Sequence, residues 1–568
     1  MTWDEYQNTL KELGYSFGDI LAIKPAFEFA QETHKNEKRM SGEPYFTHPV
    51  SVSLHVAQLK LDADAISASL LHDVVENQGI KIETIKKRFG DEVAFLVEAV
   101  TKVDSVHYKG VEREVESLRK MFLALAQDIR VVIIKLMDRL HNMETLEFQA
   151  PKKQQRIAEE TLELYAPLAD RLGIWEIKAK LEDLAFPFVN PQKYIWLKSQ
   201  VESQRKHGKE LLEKLRPRVE YELKKEGVKT EKILYRTKHL YSIWKKLLKY
   251  EMDFDRILDI VAMRIIVNNI ADCYKTLGVI HKLWKPVPGR IKDFIALPKP
   301  NGYQSLHTTV FGPEKRIVDF QIRTTDMHKE AEFGIAAHWA YDESGKKKTV
   351  TKINDKKIEW VSRFQKWYQE HKNFPTKDLL LDLKIDFFKD RIFALTPKGD
   401  VIDLPDGASP IDFAYHIHSE VGDRMFGAKV NGKMAQFSTI LKSGDTVEIL
   451  TQKNKKPTAD WLNHTKTSLA RNKIRSFLKK RGQKPQEISE TLEITVTAKD
   501  RVGILKECSE VFYRFKVNID DLKTDFKDKK YPKLIFSCKE PGSNSYKILS
   551  SLKKIRGILN VAARSSPR

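Results

Sequence analysis

Apolar residues recur with one regular spacing through the first 195 residues of this 568-residue chain, and this periodicity restricts the fold more than any other feature. Apolar residues recur at i, i+3 and i+4 spacing in ADAISASLLHDVVE, in EVAFLVEAVTKV and in SLRKMFLALAQDIRVVIIKLMDRL. This spacing places an apolar stripe along one side of a helix, whereas the alternation typical of strands is scarce. Pro187 and the pair Asn190-Pro191 interrupt the pattern. We therefore expect residues 1–195 to form an all-α domain.

The pattern changes after residue 195. A basic helix is predicted from Tyr194 to about Glu226. Further on, ILDIVAMRIIVNN is typical of a buried strand, CYKTLGVIHKLW of a helix, and HTTVFG with RIVDFQIRT of a strand hairpin around Gly312-Pro313. We therefore expect an α+β domain over residues 196–345, followed by a polar linker over residues 346–387.

The last third of the chain predicts three further segments. Residues 388–452 form a small β-rich unit, because short apolar runs alternate with turns such as Asn431-Gly432. Residues 453–487 form a basic helical segment. Residues 488–568 follow the order strand, helix, strand, strand, helix, strand, which is ferredoxin-like. A multidomain chain is also what its length predicts.

The net charge of +21 is distributed unevenly along the chain. Residues 1–195 carry about −6, which leaves about +27 on the remainder. The densest stretch, residues 453–484, includes Trp461 and suits a polyanion such as RNA. A solvated basic surface without a partner is the alternative.

Cysteine usage and the absence of long apolar runs indicate a cytoplasmic protein. Cys273, Cys508 and Cys538 are too widely spaced for a disulfide framework or a Cys-x-x-Cys zinc site, which favours a reducing compartment. The N-terminal MTWDEYQ is unlike a signal peptide, and no apolar stretch is long enough to span a membrane.

Four His and Asp residues of the predicted all-α domain favour a metal site. His48 lies in RMSGEPYFTHP, His72 and Asp73 in LLHDVVEN, and Asp138 in LMDRLHNM. An isolated His-Asp pair is more often part of a core. Two imidazoles and two carboxylates on separate helices, however, could hold one ion that activates water for phosphate chemistry.

A second phosphate site is expected in the α+β domain. Arg236, Lys238 and Lys246 surround a turn in YRTKHLYSIWKKL, as in phosphate clamps. Asp259 and Asp319 lie in apolar strands, where a carboxylate is costly to bury unless it is paired or binds a metal such as Mg²⁺. Between these two carboxylates lie further basic, polar and aromatic candidates for nucleotide contact: Arg290, Lys292, Lys299, Asn301, Tyr303 and His307.

Together these segments resemble the long RelA/SpoT homologues, which make and hydrolyse the alarmone (p)ppGpp. The resemblance implies an HD-type hydrolase domain over residues 1–195 and a nucleotidyltransferase-like synthetase domain over residues 196–345. It also implies a TGS domain at 388–452, most recognisable in DFAYHIHSEVG, and an ACT domain at 488–568, where KDRVGIL forms the first strand-to-helix turn.

The resemblance assigns roles by position. In the hydrolase domain the implied Mn²⁺ ligands are His48, His72, Asp73 and Asp138, and the nucleotide-binding positions are Arg39, Ser41, Asn142 and Thr145. In the synthetase domain Arg236 and Lys238 contact ATP phosphates, Asp259 binds Mg²⁺, Tyr303 stacks on guanine, and Lys299, Asn301 and His307 line the pocket. Arg290-Ile-Lys292-Asp293 matches the form found in bifunctional members.

Several residues depart from the family pattern. The family has a carboxylate pair after the His-Asp dipeptide, thought to position water, whereas this chain has Glu76 and Asn77. Met40 and Glu144 replace usually basic residues, and Asp319 replaces the catalytic Glu, which leaves Asp319 as general base or Mg²⁺ ligand. A slow hydrolase and a degenerate domain that keeps its metal for regulation both remain open.

The implied enzyme moves pyrophosphate from ATP to the 3′-OH of GDP or GTP and removes it again from (p)ppGpp, under reciprocal control. His416 and His418, at strand spacing, correspond to residues near the 3′ end of deacylated tRNA in ribosome-associated members. The usual helical and zinc-binding modules before the ACT domain are absent from the short, cysteine-free gap, which weakens the case for ribosome docking. A small-molecule ligand of the ACT domain is also expected. The rival functions are a synthetase with an impaired hydrolase and a non-catalytic RNA- or ribosome-binding regulator.

Overall fold

The computed structural model describes most of the chain in two compact units, Met1–Leu383 and Lys384–Arg568. The described residues are 1–104, 120–121, 124, 127–250, 252–254, 260–299, 301–313, 316–338, 391–480, 491–515, 517–525, 532–539, 548–549, 551–552, 555 and 557–566. The predicted linker 346–387 and Asp259 lie outside them. Among the helices described, each is too short or too polar to cross a bilayer.

The N-terminal domain is all-α in its described residues, which confirms the expectation from periodicity. Its helices are α1 Trp3–Glu12, α2 Phe17–Thr33, α3 Thr47–Gln58, α4 Ala63–Leu71, α5 Val74–Gln78, α6 Ile82–Asp104, α7 Ile129–Glu144, α8 Pro151–Glu160, α9 Ala166–Arg171, α10 Trp175–Val189 and α11 Pro191–Lys225. A 3₁₀ turn, Leu146–Phe148, follows α7, and a π-helical turn, Thr161–Tyr165, follows α8. The basic helix predicted from Tyr194 is α11.

Two helices with capped N-termini carry His72 and Asp138, two of the expected metal ligands, at the same distance from their caps. Asp62 caps α4 by accepting from the Ala65 amide, and Asp128 caps α7 by accepting from the Arg130 amide. His72 and Asp138 each lie ten residues beyond their cap, a rise of roughly 15 Å along a helix. The two caps are tied together by Arg130, whose Nη1 lies 2.8 Å from Asp62 Oδ2 and whose Nη2 lies 2.6 Å from Asp128 Oδ2.

Replacing Arg130 with methionine is expected to lower the free energy of unfolding by about 3–5 kcal/mol, the usual range for breaking one side of a buried ion pair. The Arg130 side chain is only 4% exposed and bridges two helix caps, so the variant would leave Asp128 buried without its cation. Urea denaturation measures the loss. The control is Arg88→Met, because the Arg88 guanidinium lies 4.8 Å from the Phe29 ring on the surface. A loss as small as that of the control would contradict the structural role of Arg130.

The α+β domain is built on a five-stranded sheet. Its elements are β1 Thr230–Thr237, α12 Leu240–Lys249, β2 Val261–Val267, α13 Ile270–Leu283, β3 Lys292–Asp293, β4 Leu306–Phe311, β5 Ile317–Thr324 and α14 Thr325–Phe333. The strand order is β1-β2-β5-β4-β3, and only the β2/β5 pair is parallel. The predicted strand, helix and hairpin are confirmed. The C-terminal half of α11 and α13 share one hydrophobic core with the sheet.

The β-rich unit of the second compact unit also contains helices. Its elements are β6 Arg391–Leu395, β7 Val401–Pro405, α15 Pro410–Ile417, α16 Ser419–Asp423, β8 Met425–Val430, β9 Lys433–Ala435 and β10 Val447–Thr451. The basic segment that follows forms α17 Trp461–His464 and α18 Ser468–Lys480. Strands β10, β8 and β9 form one sheet, and β6 and β7 form another.

The strand spacing expected for His416 and His418 is wrong. Ser409 and Asp412 form a capping box, and Pro410 occupies the first helical turn, so this segment begins helix α15. His416 lies on that helix with Nδ1 2.9 Å from the Asp412 carbonyl oxygen, and His418 caps α16 by accepting from the Glu420 amide.

The basic segment packs on the same core as this β-rich unit. Ala470, Ile474 and Leu478 of α18, at i, i+4 and i+8, join the core that contains Ile411 and Trp461. The buried Asp412 carboxylate accepts from the backbone amides of Lys466 and Thr467, which fixes the start of α18. Lysine and arginine side chains on the opposite side of this helix are exposed: Lys473, Arg475 and Lys479.

The C-terminal domain has the strand order expected of a ferredoxin-like fold. Its described elements are β11 Thr491–Ala498, α19 Ile504–Arg514, β12 Ile519–Asp525, β13 Lys533–Lys539 and β14 Ile558–Ser566. The sheet order β12-β13-β11-β14 is antiparallel at every pairing. Residues 548–549 and 551–552, between β13 and β14, are helical.

Candidate active sites of the two N-terminal domains

All four predicted metal ligands converge in the all-α domain. His48 Nε2 lies 3.2 Å from Asp138 Oδ1 and 3.5 Å from Asp73 Oδ2. His72 Nε2 lies 3.3 Å from Asp73 Oδ1 and 3.8 Å from Asp138 Oδ1. One ligand atom from each of His48, His72 and Asp138 lies within 4.8 Å of the others. We call these four residues the His/Asp cluster.

Hydrogen bonds made outside the cluster indicate which nitrogen of each imidazole donates and which accepts. His72 Nδ1 is 2.7 Å from the Ser69 carbonyl oxygen and therefore donates to it. Arg39 Nη1, which only donates, is 2.9 Å from His141 Nδ1, so that nitrogen accepts. His48 Nδ1, 2.8 Å from the same His141 nitrogen, must then donate as well. In the neutral tautomer that keeps its proton on Nδ1, each Nε2 presents its lone pair to the cluster, as a metal ligand does.

In that tautomer two lone pairs face two carboxylates, an arrangement that a cation between them would stabilise. His72 Nε2 is buried without a hydrogen-bond partner, as a nitrogen reserved for a metal would be. Imidazole nitrogen combined with carboxylate oxygen is a donor set that divalent transition metals accept. The residues present therefore fit a divalent ion.

The protonation states of the cluster suit metal binding. Burial alone would raise the pKa of Asp138, but Lys135, His48 and His72 hold it well below its usual range. The pKa of Asp73 is likewise lowered, because His72 and His48 outweigh the effect of burial. Burial lowers the pKa of His48. The cluster thus presents charged carboxylates and a neutral imidazole at His48, the states in which these side chains bind metals.

A cavity of about 220 Å³ opens beside Asp138. Five cations line it, against the carboxylates of Asp138 and Glu160: Arg39, Lys135, Arg139, Lys153 and Arg156. This excess of positive charge next to a metal-binding cluster suits a pyrophosphate group.

Three of the four predicted nucleotide-binding residues line this cavity. Arg39 Nη2 donates to Asn142 Oδ1 at 3.3 Å, and Asn142 Nδ2 donates to Asp138 Oδ1 at 2.7 Å. Thr145, one turn further along, also lines the cavity. Ser41 is not among the lining residues, and its hydroxyl lies 3.4 Å from Glu43 Oε2.

The departures from the family pattern lie around the cluster. Glu76 and Asn77 are exposed on α5, and Asn77 Nδ2 donates to the Tyr45 hydroxyl at 2.9 Å. Met40 is 74% exposed. Glu144 Oε1 lies 3.7 Å from His55 Nε2.

Sequence reasoning did not select Tyr45, Lys135 or His141. Lys135 forms an ion pair with Asp138 and is 3% exposed. Burial, together with His48 and Arg39, lowers the pKa of His141 to about 3. A lysine inside the apolar run VVIIKLM was the available signal for Lys135, since a buried cation needs an anionic partner.

Aromatic and basic residues cluster at the start of β4 in the α+β domain. The Tyr303 hydroxyl lies 2.8 Å from His307 Nε2, and Lys299 Nζ lies 5.1 Å from the centre of the Tyr303 ring. Desolvation, with Lys299 and Arg236 nearby, holds the pKa of His307 well below its usual range. This grouping brings together three of the predicted nucleotide-binding residues. Arg290 and Lys292 are exposed on the segment leading into β3.

Asp319 lies on the central part of β5, paired with Ala262 of β2 on one side and Thr309 of β4 on the other. Its Oδ1 accepts a hydrogen bond from the Thr309 hydroxyl. Its predicted partner Asp259 lies just before the described part of β2, so the structure makes no statement about the pair.

Two other predicted residues contact the all-α domain instead. The Arg236 guanidinium lies 3.9 Å from the centre of the Trp175 ring on α10. Asn301 Nδ2 donates to the Asp170 carbonyl oxygen at 3.2 Å, while its Oδ1 accepts from the Tyr303 amide. Lys238 donates its backbone amide to Ile260, and Lys246 lies on α12.

Two strand arginines of the same domain, one buried and one partly buried, were not predicted. Arg323 on β5 is 2% exposed. Arg264 on β2 donates through Nε to Gln321 Oε1 at 3.4 Å. Burial and Arg264 lower the pKa of Arg323 to about 9. Arginines within the apolar strands AMRIIV and VDFQIRT were visible in the sequence, and cations at such positions suggest an anionic ligand.

Replacing Gly334 with alanine is expected to lower the free energy of unfolding by about 3 kcal/mol. Gly334 has φ +57°, and an added Cβ would lie 2.5 Å from the Gly173 carbonyl carbon in the α9–α10 turn. In the same turn, the Leu172 carbonyl oxygen accepts a hydrogen bond from the Ile335 amide at 3.0 Å. Chemical denaturation measures the change. Gly278→Ala, in open space on α13, is the control and should keep or raise stability; equal stability of both variants would contradict the close contact.

Comparison with known proteins assigns the family. The HD domain model matches residues 26–175, the region found in RelA / SpoT proteins matches residues 235–346, and the TGS domain model matches residues 392–451. A guanosine-3′,5′-bis(diphosphate) 3′-pyrophosphohydrolase of Aquifex aeolicus is 46% identical over 85% of this chain and 68% of its own length. The chain belongs to the RelA/SpoT family.

Two further relatives of this RelA/SpoT protein are named for different activities. A GTP pyrophosphokinase of Myxococcus xanthus is 47% identical over 81% of this chain and 61% of its own length. The bifunctional (p)ppGpp synthase/hydrolase SpoT of Escherichia coli is 44% identical over 81% and 65%. The chain thus spans less than two thirds of these two relatives. An HD domain implies a divalent metal, which the His/Asp cluster fits.

Proposed function

We propose that this RelA/SpoT protein hydrolyses the 3′-pyrophosphate of (p)ppGpp in its HD domain and synthesises (p)ppGpp in its α+β domain. The observation that carries the proposal is the His/Asp cluster, in which two imidazole Nε2 atoms face two carboxylates beside a cation-lined cavity. The relatives are named for both reactions, which supports the proposal.

In the hydrolase site, His48, His72, Asp73 and Asp138 would hold the metal, which we take to be Mn²⁺. When bound, the ion supplies a Lewis acid and a water of lowered pKa. Arg39 and Lys135 would bind the pyrophosphate, and Asn142 and Thr145 the nucleoside. Ser41 keeps its proposed nucleotide-binding role on the basis of sequence position alone. Glu76, one helical turn after Asp73, would receive the proton of the attacking water. The water oxygen would bond to phosphorus as the bond between phosphorus and the 3′-oxygen breaks, and the 3′-oxygen would take up a proton and leave as the 3′-hydroxyl of GDP or GTP.

In the synthetase site, the 3′-oxygen of GDP or GTP attacks the β-phosphorus of ATP, and AMP leaves as the bond to its α-phosphate breaks. We assign Asp319 as the base that takes the 3′-hydroxyl proton or as a Mg²⁺ ligand with Asp259. Tyr303 would stack on guanine, flanked by Lys299, Asn301 and His307. Basic residues would contact the ATP phosphates and the approach to the pocket: Arg236, Lys238, Lys246, Arg290 and Lys292.

An impaired hydrolase is the second candidate. Asn77 carries no charge and takes no proton, and it replaces one of the family's paired carboxylates. In that case the His/Asp cluster would bind the ion without efficient turnover.

The C-terminal half is proposed to sense cellular signals. The TGS domain, with His416 and His418, and the basic helix α18 after it, with the exposed Lys473 and Arg475, would contact deacylated tRNA and the ribosome. The C-terminal domain has the strand order of an ACT domain, for which a small-molecule ligand is proposed. Three free, buried cysteines support a cytoplasmic location.

A paired assay tests the proposal. Purified full-length chain receives ATP and GDP with Mg²⁺ in one reaction, and ppGpp with Mn²⁺ in another, and nucleotides are separated chromatographically. The proposal expects ppGpp and AMP from the first reaction and GDP with pyrophosphate from the second. Product from the first alone supports the impaired hydrolase. Product from neither would leave a non-catalytic RNA- or ribosome-binding regulator.

A further inference from the structure

Tyr45 connects Asn77 to a metal ligand. The Tyr45 hydroxyl lies 2.7 Å from Asp73 Oδ2, and Asn77 Nδ2 lies 2.9 Å from the same hydroxyl. A phenol is protonated at neutral pH, so Tyr45 has one proton to donate. Three residues thus form a continuous chain of hydrogen bonds that ends in the His/Asp cluster.

The single phenolic proton of Tyr45 determines which group donates and which accepts in these two hydrogen bonds. A charged carboxylate only accepts, so Tyr45 donates its one proton to Asp73. The Tyr45 oxygen then has lone pairs to offer, and the amide N–H of Asn77 fills one of them. An aspartate at position 77 would instead compete with Asp73 for the same proton. At this position an amide complements Tyr45, and a carboxylate does not.

The Asp73 carboxylate needs such an orienting contact. Its Oδ1 faces His72 Nε2 and its Oδ2 faces His48 Nε2, so rotation about its side chain would disturb both approaches. Outer partners of metal-binding carboxylates commonly set ligand orientation, and their loss costs about 10–100-fold in metal affinity. Tyr45 itself is held by its amide, which donates to the Glu37 carbonyl oxygen at 2.8 Å.

We propose that Asn77 is a positioning residue that acts through Tyr45 to orient Asp73 for the metal, rather than the remnant of a lost base. This inference rests on the proposed metal-binding role of the His/Asp cluster. It gives the departure from the family's carboxylate pair a structural function that the sequence did not indicate.

Mn²⁺ affinity, measured by titration calorimetry on the full chain, tests the inference through a double-mutant cycle. Tyr45→Phe is expected to weaken binding about 10–100-fold. Asn77→Ala should weaken it about 2–10-fold, the usual range for one hydrogen bond. The double variant should bind as Tyr45→Phe does, because Asn77 would have lost the group through which it acts. Gln7→Ala, which removes an amide that donates to Asp4 on α1, is the matched control and should bind like the wild type.

The outcomes separate this inference from the proposed function. Unchanged affinity in Asn77→Ala, or an equal loss in the Tyr45→Phe background, overturns the positioning role and leaves the hydrolase proposal intact. If Asn77→Asp raises the hydrolysis rate while Asn77→Ala leaves Mn²⁺ affinity unchanged, Asn77 marks a missing base. A wild-type chain that binds no Mn²⁺ would remove both the inference and the proposed metal site.

Discussion

Asp138→Asn is expected to lower the rate of ppGpp hydrolysis at least about 1000-fold while synthesis continues at the wild-type rate. Asp138 faces both His48 and His72 and carries a charge that Lys135 stabilises, so an uncharged amide would lose the ion. Metal catalysis supplies several kcal/mol of transition-state stabilisation, and each 1.4 kcal/mol is about tenfold in rate. Release of GDP from ppGpp measures the effect.

Asp91→Asn is the control for this variant. The Asp91 side chain is 78% exposed on α6 and pairs only with Lys86 in the described structure, so both activities should be unchanged. Treating the wild type with a chelator, followed by dialysis and addition of Mn²⁺, should abolish and then restore hydrolysis. If Asp138→Asn kept more than a tenth of the wild-type rate, the His/Asp cluster would not be the hydrolase centre.

Asp319→Asn is expected to lower (p)ppGpp synthesis about 100-fold or more, with hydrolysis unchanged. A positioned base contributes about 100- to 10 000-fold to rate, and an amide takes no proton and binds Mg²⁺ poorly. The hydroxyl of Thr309 donates to this side chain and would remain in place. AMP formation from ATP and GDP measures the loss.

Asp319→Glu tests whether the charge or the length of this side chain matters, because glutamate keeps the carboxylate and is one methylene longer. Glutamate restores the residue usual in the family and should keep at least a substantial share of activity. Asp326→Asn, on the exposed first turn of α14, is the matched control. Synthesis by Asp319→Asn at the rate of Asp326→Asn would show that the base or metal ligand lies elsewhere.

Periodicity and turn residues were sufficient to predict the two N-terminal folds. The i, i+3, i+4 spacing around His72 and Asp138 predicts helices whatever their packing, and the hairpin at Gly312-Pro313 follows from local turn chemistry. Segment 412–418 was misread, because two histidines at i and i+2 resemble a strand, whereas the Ser409 cap determines a helix. A local cap outweighed the alternating pattern.

The four residues of the His/Asp cluster were predictable from the sequence, and their supporting contacts were not. His48, His72, Asp73 and Asp138 have the residue types that metals select. Tyr45 is an ordinary aromatic in the sequence, and its link to Asp73 depends on how the segment before α3 folds back onto α5. The contact of Arg236 with Trp175 likewise depends on packing between domains, which no local pattern encodes.

The central claim is that one chain carries two separate and opposed nucleotide sites. Synthesis and hydrolysis measured side by side in the wild type, Asp138→Asn and Asp319→Asn test it most directly. The account predicts both activities in the wild type, with each substitution abolishing one reaction and sparing the other. A wild type that forms no ppGpp from ATP and GDP, or a single substitution that abolishes both reactions in a folded chain, would contradict it.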